Sequence, residues 1–192
     1  MLSGGVVLLS SAALETERAF GALVATRVEA KSRSVRVLVG GLGFGATVRG
    51  VLDAVGTAGR VLVVEKVAAV ERLVRGELAA FAADPLADAR VTVAIGDVSD
   101  AIASEDRLDA ILLDVDNGPH WASFRSNARL YAAAGLGDAF RALAPGGILG
   151  VWSGYPSDSF AVRLRAAGFA PSVVPLREKG RVQARAYLGT RP

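Results

Sequence analysis

The chain has 192 residues and a formal net charge of only +3, long enough for one domain with a sizeable core and too short for two ordinary ones. It contains no cysteine, which excludes disulfides, thiolate metal sites and cysteine nucleophiles and fits a reducing cytoplasm. No apolar run reaches the roughly 18 residues needed to cross a bilayer, and the arginines are scattered rather than clustered with aromatics, so neither a membrane nor a nucleic-acid partner is expected.

The first 34 residues read as a short strand at Gly5-Val6-Val7-Leu8-Leu9 and a helix from Leu14 to about Glu29. No basic region precedes the strand, which argues against a signal peptide. These residues are expected to form a strand–helix extension on a core of residues 35–192. Val35 to Val39 is an apolar run ending in glycines, hence a buried strand, and Ala46 to Val55 is a helix stopped by Gly56 and Gly59. Arg60 to Val64 is the next strand, followed by a long helical pattern from Val67 to about Ala83 that Asp84-Pro85 closes. Val91 to Ile95 is a third strand, Val98 to Ser104 a short helix and Leu108 to Leu113 a fourth strand. The polar stretch from Asp114 to Asn127 contains the turn Asn117-Gly118-Pro119. Leu130 to Leu143 is helical, Ala144-Pro145-Gly146-Gly147 is a tight connection, and Ile148 to Trp152 is a fifth strand. Ser157 to Ala167 is a helix ended by Gly168. The last strands, Ala170 to Leu176 and Val182 to Leu188, flank Glu178-Lys179-Gly180, a loop short enough to join only antiparallel neighbours. Arg177, Lys179, Arg181 and Arg185 belong to this hairpin and read as its solvated face.

Strands alternating with helices and then a closing hairpin predict an α/β fold: a Rossmann-like, doubly wound, seven-stranded, mostly parallel sheet with a C-terminal antiparallel hairpin. That closing pair separates the chain from the ordinary dinucleotide-binding pattern and is what class I methyltransferase folds show.

Ligands of open α/β sheets bind beyond the carboxyl ends of the strands, where strand order reverses. The first core strand ends in Gly40-Gly41-Leu42-Gly43-Phe44-Gly45, whose glycines Gly41, Gly43 and Gly45 permit a sharp turn and close backbone approach. Alone this motif also satisfies the dinucleotide fingerprint of an NAD-dependent oxidoreductase. Glu65 ends the second strand about 20 residues further on, where a carboxylate can accept from both ribose hydroxyls; it could equally pair with Lys66 or Arg72 at the surface. Gly96-Asp97 ends the third strand, where Asp97 can receive an adenine amino group, cap the helix beginning at Val98, or do both. Lys66 and Val98, beside these two acids, join the same cofactor-binding set. Asp114 ends the fourth strand and could hold an amine or take its proton as it attacks an electrophilic carbon next to a sulfonium. Asp116 follows two residues on, but no further ligand cluster accompanies the pair, so no metal is expected. Asp116, Asn117, His120 (the only histidine), Trp121 and Tyr131 are candidates for the acceptor pocket, although each could simply pack or sit on a loop.

With these residues in place the chain resembles the spermidine synthase family, aminopropyltransferases on the class I methyltransferase fold. The matching segments are Val37 to Gly45, Val63-Val64-Glu65, Gly96-Asp97-Val98, Ile111-Leu112-Leu113-Asp114, Arg129-Leu130-Tyr131 and Leu143 to Gly147, spanning roughly residues 35–152. The resemblance implies that Glu65 holds the ribose, Asp97 the adenine and Asp114 the reacting amine. It implies S-adenosylmethionine, or its decarboxylated form, as cofactor, a small-molecule amine as acceptor, and a homodimer. Three departures stand out. The polyamine enzymes carry an aspartate within the glycine loop, where this chain has Phe44. Their Asp-x-x-Asp-Pro pattern meets Asn117 here, with Asp116 adjacent. Their large N-terminal β-domain has no counterpart. Methyl transfer is therefore the first expectation, aminopropyl transfer the second, and a catalytically silent nucleoside-binding domain the third.

Overall fold

The computed structural model describes residues 2–3, 6–7, 11–27, 34–115, 119 and 125–192. Strands β1 (Leu2–Ser3) and β2 (Val6–Val7) pair antiparallel in a small ladder of their own. The expected N-terminal helix is two pieces, α1 (Leu14–Ala22) and α2 (Val24–Arg27), separated at Leu23.

Seven strands form the central sheet: β3 (Arg36–Gly40), β4 (Arg60–Glu65), β5 (Val91–Ile95), β6 (Leu108–Leu113), β7 (Leu143–Ser153), β8 (Ala170–Glu178) and β9 (Arg181–Thr190). Their spatial order is β5-β4-β3-β6-β7-β9-β8. The pairs among β3, β4, β5, β6 and β7 are parallel, and β9 alone runs against both its neighbours. The chain moves outward from β3 through β4 to β5, then returns to the other side of β3 as β6, so the strand order reverses between β3 and β6.

Apolar residues fill consecutive positions in β3 and β6 because both faces are covered. Alternation divides them between two cores. Val37, Val39, Val61, Val63, Ala110, Leu112 and Ile148 meet α1 through Phe20 and α3 (Ala46–Ala54) through Val48, Val51 and Leu52. Leu38, Val64, Ile111, Leu113, Leu149 and Val151 meet α5 (Val98–Ser104), α6 (Ala133–Ala142) and α7 (Asp158–Ala166) through Ile102, Leu136, Phe160 and Leu164.

Three boundaries differ from the sequence expectation. The helix expected over 67–83 is α4 (Ala68–Arg75) followed by 3-10 turns Ala79–Ala82 and Pro85–Ala87. Gly76 leaves helical geometry at φ −116, ψ −106, and Ala83 and Asp84 take positive φ, so the backbone cannot continue as one helix. The helix expected from Leu130 begins at Ala133, behind a 3-10 segment Arg125–Tyr131 whose Leu130 and Tyr131 turn into the core. The fifth sheet strand starts at Leu143, so the expected tight connection lies within β7, and the β6–β7 register shifts between Leu108 and Ala110 to absorb it.

Candidate functional site

The carboxyl ends of β3, β4, β5 and β6 lie level, because the ladder pairs Gly40 with both Val64 and Leu113 and Glu65 with Ile95. The ladder runs one residue past each strand. The Gly41 N–H donates to the Val64 carbonyl at 2.9 Å, the Gly96 N–H to the Glu65 carbonyl at 3.0 Å and the Asp114 N–H to the Gly40 carbonyl at 2.8 Å. Backbone pairing therefore draws the glycine turn, Glu65, Gly96-Asp97 and Asp114 to one edge.

The turn after β3 needs its glycines for different reasons. Gly41 has φ +87, and a Cβ there would lie 2.3 Å from the Asp114 carbonyl oxygen, so a side chain would drive the two loops apart. Gly43 has φ +52, and a Cβ there would meet nothing within 4 Å, so the backbone at the crest of the turn faces open space. Gly45 is the N-cap of α3. Phe44 packs against the core and its ring lies 5.0 Å from that of Phe81.

Glu65 is 8% exposed. One carboxylate oxygen accepts from the Leu42 N–H at 2.9 Å and the other from the Val67 N–H at 2.8 Å. The carboxylate thus braces the glycine turn against the start of α4, and a carboxylate with about four lone-pair sites keeps capacity for further donors.

Asp97 caps α5, its Oδ1 accepting from the Ser99 N–H at 3.0 Å. It also pairs with Lys66 at 3.1 Å and Arg129 at 3.0 Å. Burial opposes its charge, but hydrogen bonds from Ser99, Arg129 and Lys66 hold its carboxyl well below the usual range. The cap expected of it is formed. Lys66 reaches Asp97 across the gap between β4 and β5. Val98 is buried, its side chain 2.7 Å from where a Cβ on Gly40 would stand, so it packs beneath the turn as part of the core.

Asp114 follows β6 on the opposite side of the turn from Glu65. Its Oδ2 accepts from the Thr47 hydroxyl at 2.6 Å, and the same hydroxyl lies 3.2 Å from the Glu17 carbonyl oxygen. Burial pushes the Asp114 carboxyl up to about 6, with the Thr47 hydrogen bond pulling the other way. Burial and then the charges of Asp114 and Glu178 push Glu17 up to about 9. Glu17 on α1 therefore lies within electrostatic reach of two acids, Asp114 after β6 and Glu178 at the end of β8.

Tyr131 lies away from the open rim. It is 1% exposed and meets Phe160 edge to face at 5.9 Å, so its ring belongs to the core, not to an open acceptor wall. Asp116, Asn117, His120 and Trp121 fall outside the described residues. Among the described residues, no group of three or more His, Cys, Asp or Glu could hold a metal ion, and no helix is long and apolar enough to cross a membrane.

Glu17 and Thr47 were not candidates from sequence. Thr47 had a usable signal: it lies in the first turn of the helix after the glycine loop, which faces the strand ends. Glu17 had none, because only the docking of α1 brings it to Asp114.

No protein-family profile matches the chain, and no curated protein matches it by sequence. Solved structures do. A spermidine synthase in complex with the transition-state analogue AdoDATO superposes with a TM-score of 0.68 at 16% identity, covering 95% of this chain and 60% of that one. Spermidine synthase from Thermotoga maritima gives 0.69 at 16% identity over 95% and 60%. Human methyltransferase-like protein 13 in complex with SAH gives 0.68 at 22% identity over 92% and 82%. The chain spans about 60% of the length of those spermidine synthases. At such identities the likeness is one of architecture: this is the class I methyltransferase fold, shared by S-adenosylmethionine-dependent methyltransferases and spermidine synthases.

Proposed function

We propose that the chain is an S-adenosylmethionine-dependent transferase that moves a methyl group onto a small amine. The observation that carries this reading is the placement of Glu65 and Asp114 at the ends of β4 and β6, on either side of a glycine turn whose crest at Gly43 is open.

The residues fit an adenosyl sulfonium. Gly43 leaves room for close approach of a ligand to the backbone, and Glu65 retains acceptor capacity for ribose hydroxyls beyond its two backbone donors. Asp97 would turn toward an adenine amino group only while sharing its carboxylate with Lys66 and Arg129. S-adenosylmethionine, when bound, supplies a carbon made electrophilic by the adjacent sulfonium. The protein's task is then alignment and desolvation of the nucleophile. Asp114 would accept the amine's proton as the nitrogen lone pair forms the new C–N bond and the C–S bond breaks. A carboxyl raised to about 6 suits a base working near neutrality.

Methyl transfer is favoured over aminopropyl transfer by Phe44. Phe44 stands at the position where the polyamine enzymes carry an aspartate, so that position offers no carboxylate to an aminopropyl ammonium, and its ring packs against Phe81 instead. The acidic surroundings of Asp114 favour a cationic amine, which keeps aminopropyl transfer as the second reading. Calorimetric titration separates them: S-adenosylmethionine is expected to bind and the decarboxylated form not to. Turnover that survives Asp114→Asn unchanged would remove Asp114 from the chemistry, and no turnover with any amine acceptor would leave a silent nucleoside-binding domain.

A further inference from the structure

The Thr47 side chain is 2% exposed, and its hydroxyl stands between two acceptors: Asp114 Oδ2 at 2.6 Å and the Glu17 carbonyl oxygen at 3.2 Å. A hydroxyl has one proton to donate and lone pairs with which to accept. It cannot donate fully to both neighbours at once. With Asp114 ionised, the Thr47 proton belongs to the carboxylate, the shorter contact. With Asp114 protonated, the acid's own O–H can donate to Thr47 Oγ1, and the Thr47 proton turns to the Glu17 carbonyl. Either way each polar group of the trio keeps a partner, so neither protonation state leaves one unsatisfied.

We propose that Thr47 is the positioning residue for Asp114, its hydroxyl turning between the carboxylate and the Glu17 carbonyl so that Asp114 takes up and releases a proton without reorganising the buried site. The inference rests on the proposed function only in giving Asp114 the proton of the acceptor. Three elements impose the environment. Helix α3 supplies Thr47, α1 supplies both the Glu17 carbonyl and the Glu17 carboxyl, and the end of β8 supplies Glu178, the other titratable group of this acidic set. Burial disfavours the Asp114 anion. Thr47 is the partner that favours it.

The test is the titration of the Asp114 carboxyl carbon by NMR in the ligand-free protein, with Asp114→Asn identifying the resonance. Thr47→Val, nearly isosteric but without a hydroxyl, is expected to move the midpoint upward by about one to two pH units. Thr47→Ser is expected to restore it, and Thr47→Cys, whose thiol is a weak donor, to shift it in the same direction as valine. The acidic limb of kcat/KM is expected to move with the carboxyl midpoint in each variant. A midpoint unmoved by valine or, should valine prevent folding, by cysteine overturns the inference, as does a serine variant that behaves like valine. Because the carboxyl is read without ligand, failure to bind S-adenosylmethionine would sink the proposed function while leaving this result standing.

Discussion

Gly21 and Gly50 face each other where α1 crosses α3. A Cβ on Gly21 would lie 2.1 Å from the Thr47 carbonyl oxygen, and one on Gly50 would lie 2.0 Å from the Arg18 carbonyl oxygen. The two backbones touch through this gap, and that contact holds Glu17 over Asp114. Gly50→Ala is expected to destabilise the protein by about 1–3 kcal/mol, the usual scale of overpacking, with Gly21→Ala close behind. Urea midpoints check the effect. The same variants should bring the Asp114 midpoint closer to that of an ordinary carboxyl, since lifting α1 admits water to it.

The two roles of Glu65 separate by substitution. Glu65→Ala leaves the Leu42 and Val67 N–H groups without their acceptors and is expected to cost about 1–3 kcal/mol in stability. Binding of S-adenosylhomocysteine should weaken by a similar amount, measured by calorimetry. A stability loss with unchanged affinity would leave Glu65 as a brace for the turn and nothing more.

Stability should fall as pH rises. Glu17 and Asp114 have folded pKa values of about 9 and 6, above the ordinary 4.5 and 3.8. The folded state therefore binds more protons than the unfolded chain between those limits, and the stabilising contribution, complete below about pH 4, is lost through pH 6 for Asp114 and through pH 9 for Glu17. Glu17→Gln removes the larger penalty and is expected to raise the urea midpoint at pH 8 while changing it little at pH 4. Asp88 runs the other way. The Arg90 hydrogen bonds hold it at about 2, so its contribution is present above pH 4 and disappears as pH falls toward 2.

Arg90 does more than pair with Asp88. Its guanidinium also donates to the carbonyls of Leu52 at 3.1 Å and Val55 at 3.0 Å, closing the C-terminal end of α3. Arg90→Lys keeps the charge but cannot span these acceptors in a planar fork. A loss of about 1–3 kcal/mol is expected, read from thermal or urea unfolding.

At the third strand end, Asp97→Ala should cost about 0.5–2 kcal/mol through the lost α5 cap, and Asp97→Asn less, because the amide oxygen still accepts from the Ser99 N–H. Arg129→Ala removes a solvent-exposed guanidinium from Asp97 and Asp100 and should change stability less than Asp97→Ala does.

Much of this arrangement was legible from apolar runs and punctuation. Val37 to Gly40 and Leu108 to Leu113 are buried throughout and Val61 to Val64 nearly so, so their composition announces them, and the acids that follow are placed by the strand ends alone. What failed was local geometry under tertiary control. A helical pattern runs through Val67 to Ala83, yet Gly76 ends the helix and the chain tightens into turns. Tyr131 begins a segment that looks free to face a pocket, but Phe160, distant in sequence, claims its ring. Glu17 carries no local mark of its role, because a carboxyl on an N-terminal helix gains its neighbours only when Gly21 and Gly50 meet.

The position of β9 bears on how the chain assembles. Although last in order, it is an interior strand that separates β7 from β8. Until Ala184 to Thr190 arrive, β7 has an unmatched row of amides and carbonyls, and β8 has no place to dock at all. The β8–β9 hairpin can pair locally across its own turn, but docking it on β7 closes the loop between Ser153 and Arg185, a non-local step that slows folding and leaves the β7 edge exposed meanwhile. Cutting the chain before Arg181 would thus remove two strands from the sheet, not one, and turn the β7 edge into a seed for aggregation.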